Sequence, residues 1–289
     1  MTEAIRPFVL EHADKSGEPG RLIRGRVVAP AGAETAAERL PAVLVLHGFK
    51  GFMDWGFFPE FARRVAGRGL AAVAFNMSGS GIGEDLERFT EDEAFARDTW
   101  SRQLEDVERV RAAVAAMPWI DPERMALVGH SRGGAVALLH AAERGDYRAV
   151  VTWAAVASVD PYDPGLKAEW RERGHVLIHN ARTGQDHRVD VGFLEDLERN
   201  AARLDVLAAC RRLATPTLLL HGTADESVPF AAAQALGDAL PSVTGRVLAV
   251  EGGGHTFGAG HPFEGSPPEL ELVWDETLTW LREHLGPAG

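Results

Sequence analysis

The ten residues from Met125 to Gly134 (MALVGHSRGG) constrain this chain more than any others. A short apolar run leads into Gly-x-Ser-x-Gly, and a small-residue run from Ala135 to Leu139 follows. Strand, tight turn and helix in that order place Ser131 at the apex of a sharp bend. Glycines two residues before and two after it leave room for the neighbouring backbone. The hydroxyl is then displayed at the carboxyl end of a strand, beside the N–H groups that open a helix. That is a place for a nucleophile and an oxyanion, so hydrolytic chemistry is the first expectation. The motif alone also fits an ordinary strand-to-helix turn, and the rest of the chain has to supply a base and an acid.

Apolar runs alternate with helix-period segments along most of the 289 residues, which predicts an α/β fold with a mostly parallel sheet covered on both faces. Strands are expected over 22–29, 42–46, 70–75, 125–129, 149–154, 216–221 and 246–250. A short helix is expected over 58–67, an amphipathic helix over 98–117 and a closing helix over 269–285. Between 158 and 212 the βα alternation stops. Segments 175–180 and 186–191 alternate around Thr183-Gly184 as a hairpin, and 193–209 reads as a helix. This predicts a core of residues 1–157 and 213–289 with an inserted cap at 158–212. The terminal Gly286-Pro287-Ala288-Gly289 reads as a frayed tail.

A serine hydroxyl needs a base, and the base needs a carboxylate to hold its tautomer. The strand at 216–220 is followed by HGTADESVP, which puts Asp225 in the loop at its carboxyl end. The strand at 247–250 is followed by EGGGH, which does the same for His255. Ser131, Asp225 and His255 then emerge on one edge of a parallel sheet, where such folds build their sites, in the chain order such a topology uses. Glu226 is the rival acid, and His261 and His284 are the rival bases. His284 sits near a helix end, where a cation meets the dipole favourably. His47 and His221, each before a glycine, are expected to shape loops through hydrogen bonds. Two backbone donors would hold an oxyanion: the N–H of Arg132, just after the nucleophile, and the N–H of Phe49, in the loop after the 42–46 strand.

The whole chain resembles the α/β-hydrolases, and within them the dienelactone-hydrolase-like and cinnamoyl (feruloyl) esterase branch. The residues that carry the resemblance are HGFKG (47–51), GHSRGG (129–134), HGTADESVP (221–229) and GGGHTF (252–257). WRERGHVLIHNARTGQ (170–185) and FLEDL (193–197) resemble that branch's small cap over the acyl pocket. The resemblance covers about residues 20 to 285. It implies a serine esterase that cleaves carboxylic esters through an acyl-enzyme, with no metal and no organic cofactor. Amide or peptide hydrolysis, or acyl transfer, is the alternative on the same residues. Peptidases on this fold usually add a site for a terminal charge or a large further domain, so esters rank first. A non-catalytic ligand-binding relative is the third reading, and the presence of all three residue types counts against it.

Trp153, Tyr162, Trp170 and Phe193 are candidates to line the acyl pocket, with one or two of them expected to touch substrate. Their alternative is plain packing. The glycine-rich NMSGSGIGE (76–84) lacks the spacing and the immediate helix of a dinucleotide loop. His175, His179 and His187 alternate with apolar residues and lack a cysteine or carboxylate framework, so they are assigned to hairpin faces rather than to a metal. The formal net charge of −12 argues against nucleic acid and anionic membranes as partners. A small-molecule ester is the expected partner, and a homodimer is left open. One cysteine, Cys210, precludes an intrachain disulfide. The chain shows no secretory h-region and no apolar run near eighteen residues, which gives a cytoplasmic expectation.

Overall fold

A computed structural model describes residues 2–12, 20–180 and 183–286. Residues 287–289 of the expected C-terminal tail lie outside them. The sheet strands are β1 (Glu3–His12), β2 (Arg21–Pro30), β3 (Leu40–Leu46), β4 (Ala71–Asn76), β5 (Ile120–His130) and β6 (Ala149–Trp153). A separate hairpin is formed by β7 (His175–Asn180) and β8 (Gln185–Asp190), after which β9 (Thr217–Gly222) and β10 (Gly245–Val250) rejoin the sheet. The eight-stranded sheet runs β1-β2-β4-β3-β5-β6-β9-β10. The pairs β1–β2 and β2–β4 are antiparallel, and all the others are parallel. This is the α/β-hydrolase fold expected of the sequence.

The helices are α1 (Phe58–Ala66), α2 (Asp92–Ala96), α3 (Trp100–Ala115), α4 (Arg132–Arg144), α5 (Pro164–Arg173), α6 (Gly192–Arg199), α7 (Val206–Arg212), α8 (Ala231–Ala239) and α9 (Pro268–Leu285). Strand periodicity sorts the side chains into two cores. From β3 and β5, Ala42, Leu44, Leu46, Met125 and Leu127 join the core under α3 and α4. The intervening Val43, Val45, Ala126 and Val128 join the core under α1 and α9. Both faces are therefore apolar, as a covered parallel sheet requires.

Three elements differ from the expectation. Strand β1 went unpredicted, because it is an edge strand whose Ile5 and Val9 stay exposed. The helix expected over 193–209 is two helices. Asn200 closes α6, and the Asp205 carboxylate caps α7 by accepting the Ala208 N–H at 2.9 Å, so polar side chains at 200 and 205 outcompete helix continuation. The segment between β6 and β9 adds no strand to the large sheet, but α7 already packs on α4. The chain thus returns to the core layers before residue 213.

The connections decide where a site can form. From β3 the chain crosses to β4 on one side, and later reaches β5 on the other. The carboxyl ends of β3 and β5 flank this switch point, and a crevice opens there. The loop 47–51 and Ser131 stand at those two ends.

Candidate active site

Ser131 sits at φ 55°, ψ −118°, between β5 and α4. A non-glycine residue holds such a conformation only when its surroundings over-determine it. Here the Ser131 N–H donates to the Trp153 carbonyl at 2.8 Å, and its own carbonyl accepts the Gly134 N–H at 3.0 Å. A Cβ on Gly129 would lie 2.2 Å from the Gly133 carbonyl oxygen, so the bend closes only over glycine. A Cβ on Gly48 would lie 3.0 Å from the Ser131 Cβ, which measures how closely the loop after β3 approaches the serine.

Asp225 is buried and His255 is half-buried, each in the loop after its strand. The Asp225 Oδ1 accepts the N–H groups of Ser227 and Val228, both at 2.9 Å. Its Oδ2 accepts the His255 Nδ1–H at 2.8 Å. That bond fixes the neutral imidazole as the Nδ1–H tautomer and leaves Nε2 as the basic nitrogen. Ser131 and His255 line one cavity of about 170 Å³, together with Gly48, Phe49, Lys50, Trp55, Phe58, Asn180 and Thr256. The two residues expected to supply oxyanion donors, Phe49 and Arg132, lie in the cavity wall and directly after Ser131, respectively. Arg132 is the first residue of α4, where a helix leaves its N–H groups without intrahelical acceptors. The Phe49 N–H has no acceptor among the described residues.

The other histidines take structural posts. His47 donates through Nδ1 to the Gly48 carbonyl at 2.9 Å and accepts the Met77 N–H on Nε2 at 3.1 Å. Burial lowers its pKa to about 4, so it stays neutral. His221 donates to the Val228 carbonyl at 2.8 Å. His261 accepts the Gly56 N–H at 3.0 Å and stacks near Trp55. In the hairpin, His179 pairs with Asp186, and His187 is buried against Phe89 and Phe95. Among the described residues, no group of three or more His, Cys, Asp or Glu side chains is placed to hold a metal ion.

His130 is buried beside the site and donates through Nε2 to the carbonyl of His255 at 2.9 Å. Burial, reinforced by the neighbouring His255, lowers its pKa from 6.5 to about 3. The unfolded chain therefore takes up this proton first. The stability that depends on neutral His130 is complete above pH 6.5 and is lost as the pH falls from there toward 3. The slope is at most about 1.4 kcal/mol per pH unit. His130→Asn should flatten the decline of the unfolding free energy, measured by urea titration, between pH 7 and 4.5 by roughly that slope. An unchanged decline would mean that His130 is already protonated in the fold.

The aromatic candidates separate. Trp153 is a correction: it is fully buried on the α9 side, donating to the Thr277 hydroxyl at 2.9 Å and packing on Phe57 and Phe61, so it cannot line the cavity. Tyr162, Trp170 and Phe193 form one cluster in the cap. Trp170 and Phe193 stack at 5.5 Å, and Tyr162 meets both rings edge-on. None of the three is among the cavity's lining residues. The lining residues that sequence reasoning missed include His130, Lys50, Trp55, Phe58, Asn180 and Thr256. Asn180 ends β7, and the Lys50 ammonium donates to the His179 carbonyl at 3.0 Å, so the cap hairpin forms part of the cavity wall. Its proximity to HGFKG in space has no counterpart in sequence spacing.

The sequence profile of the prolyl oligopeptidase family matches residues 55–286. The chain belongs to the prolyl oligopeptidase family. This places it among serine hydrolases of the α/β-hydrolase superfamily. The protein "Uncharacterized peptidase YuxL" of Bacillus subtilis (strain 168) is similar to it, with 26% identity over 250 residues, covering 83% of this chain and 35% of that protein. The 2,6-dihydropseudooxynicotine hydrolase of Paenarthrobacter nicotinovorans is 25% identical over 240 residues, covering 81% of this chain and 56% of its own length. The chain thus spans about a third to just over half of these two relatives. In fold, it is similar to Est1E from Butyrivibrio proteoclasticus, solved with ferulic acid bound. The TM-score is 0.71 at 18% identity, covering 96% of this chain and 99% of that one. Among the described residues, no helix is long and apolar enough to cross a membrane.

Proposed function

We propose that this prolyl oligopeptidase family chain hydrolyses carboxylic esters of small molecules through Ser131, His255 and Asp225. The observation that carries the reading is the 2.8 Å bond from His255 Nδ1 to Asp225 in a cavity that His255 shares with Ser131. His255 Nε2 takes the Ser131 proton as the oxygen attacks the ester carbonyl, and returns it to the leaving alcohol. Asp225 holds the tautomer and offsets the imidazolium charge. The N–H groups of Phe49 and Arg132 receive the oxyanion, and water frees the acid by the reverse route. No cofactor takes part in these steps. The small volume and the apolar walls from Phe49, Trp55 and Phe58 favour a compact acyl group.

A second reading, peptide or amide hydrolysis, is favoured by the family match itself. Both readings use the same acyl-enzyme and differ in the leaving group. A panel of p-nitrophenyl esters and the matching p-nitroanilides, run on fluorophosphonate-titrated protein, separates them. Ester turnover ahead of anilide turnover is expected. Faster anilide cleavage would put the peptidase reading first, and an unlabelled Ser131 in folded protein would remove both.

A further inference from the structure

Arg132 is an unusual residue to find at the start of a buried helix. A cation at a helix N-terminus opposes the macrodipole, and a buried guanidinium carries a desolvation penalty. The Arg132 side chain nevertheless lies almost wholly inside the protein. Its surroundings account for this. The guanidinium lies over the Phe49 ring at 4.0 Å, with the Trp100 ring at 5.1 Å and the Phe193 ring at 5.4 Å. Its Nη1 is 3.5 Å from Asp98 Oδ2, and the Tyr162 hydroxyl lies near it. Asp98 is itself buried and is held by the Gln103 amide at 2.6 Å.

These partners come from three separate parts of the fold. Phe49 belongs to the loop after β3 and lines the cavity that holds Ser131. Asp98 and Trp100 belong to the entry of α3. Tyr162 and Phe193 belong to the cap, where they pack with Trp170. One planar cation is thus the common contact of the oxyanion loop, the core and the cap. Stacking suits Arg and not Lys, since only the guanidinium is flat and weakly hydrated. The guanidinium itself does not line the cavity, and it meets the wall through Phe49.

We propose that the Arg132 side chain is a positioning residue: it clamps Phe49 so that its N–H stays aimed at the oxyanion, and ties the cap to that loop. This rests on the esterase reading above. The backbone N–H of residue 132 survives any substitution but proline, so the side chain can be tested alone. In Arg132→Met, the long apolar chain keeps the volume and loses the stacking cation. We expect kcat on p-nitrophenyl butyrate to fall by about 10²-fold, the effect of displacing one donor by roughly an ångström. KM should change far less. Affinity for a trifluoromethyl ketone, which forms the tetrahedral adduct, should fall by the same factor as kcat/KM. Arg132→Lys should recover only part of the loss. Phe49→Leu, which keeps the N–H and removes the ring, should show a similar kcat defect, and the double variant should be no worse than the more impaired single one.

Activity is counted per fluorophosphonate-labelled serine, so a fraction of unfolded protein cannot imitate the effect. A merely structural role would lower the melting temperature and leave kcat per labelled site and ketone affinity at wild-type values. That result in Arg132→Met, or in Phe49→Leu should the arginine variant not fold, overturns the proposal. A wild-type protein that takes no label at Ser131 overturns the esterase reading and the clamp together.

Discussion

Replacing Ser131 with alanine is expected to leave the fold intact and to lower the turnover of a short-chain p-nitrophenyl ester by about 10⁶-fold. The two halves of this expectation have separate physical grounds. The bend at 131 is held by backbone hydrogen bonds to Trp153 and Gly134 and by the glycine at 129, none of which involves the hydroxyl. Alanine keeps the same Cβ at the same φ. The loss of rate follows because His255 then has no oxygen to activate, and only the oxyanion donors and binding remain. Urea midpoints should agree with wild type while kcat collapses and fluorophosphonate labelling disappears. Turnover near the wild-type value would take Ser131 out of the mechanism.

The second large effect is expected of Asp225→Asn, with kcat down by about 10⁴-fold. The asparagine Oδ1 can still accept the N–H groups of Ser227 and Val228, so the turn after β9 should hold. Its Nδ2 would replace the oxygen that now accepts from His255 Nδ1. Two donors cannot face each other, so the imidazole moves its proton to Nε2 and can no longer take one from the serine. The pH–rate profile and the melting temperature, measured together, distinguish this from unfolding. Glu226, the rival acid, is exposed in the same loop. A mild effect of Asp225→Asn with a severe one of Glu226→Gln would move the role to Glu226.

Both predictions concern residues whose placement is legible in the chain itself. Each of the three ends up just past a parallel strand: β5 and β9 are buried there and write continuous apolar runs, while β10 is an edge strand that still carries the apolar run 247–250, and each following loop is polar or glycine-rich. The bend at Ser131 is equally local, since the atoms that a Cβ at 129 would strike belong to residues four and five positions on. The helix break at 200–205 was also written locally, in Asn200 and Asp205, but there the periodicity of the flanking apolar residues masked the caps.

The cavity wall was not legible in this way. Trp153 and its neighbour Thr152 differ by one residue, and the pleat sends their side chains to opposite faces of the sheet. Which face holds the tryptophan depends on how β6 registers between β5 and β9. Asn180 reaches the cavity only because the hairpin folds back over the loop after β3, bringing Lys50 against His179 across 129 positions of sequence. Arg132 carries the same lesson within one residue. Its N–H is placed by the helix start that the sequence announces. Its side chain is placed by Phe49, Asp98, Tyr162 and Phe193, which only the packing of core and cap brings together. Short-range sterics and apolar periodicity determined the sheet, the bend and the strand-end positions, because these depend on residues a few positions apart. The shape of the pocket and the contacts of its buried cation were decided by tertiary structure, because they depend on side-chain directions that sheet register and cap docking set.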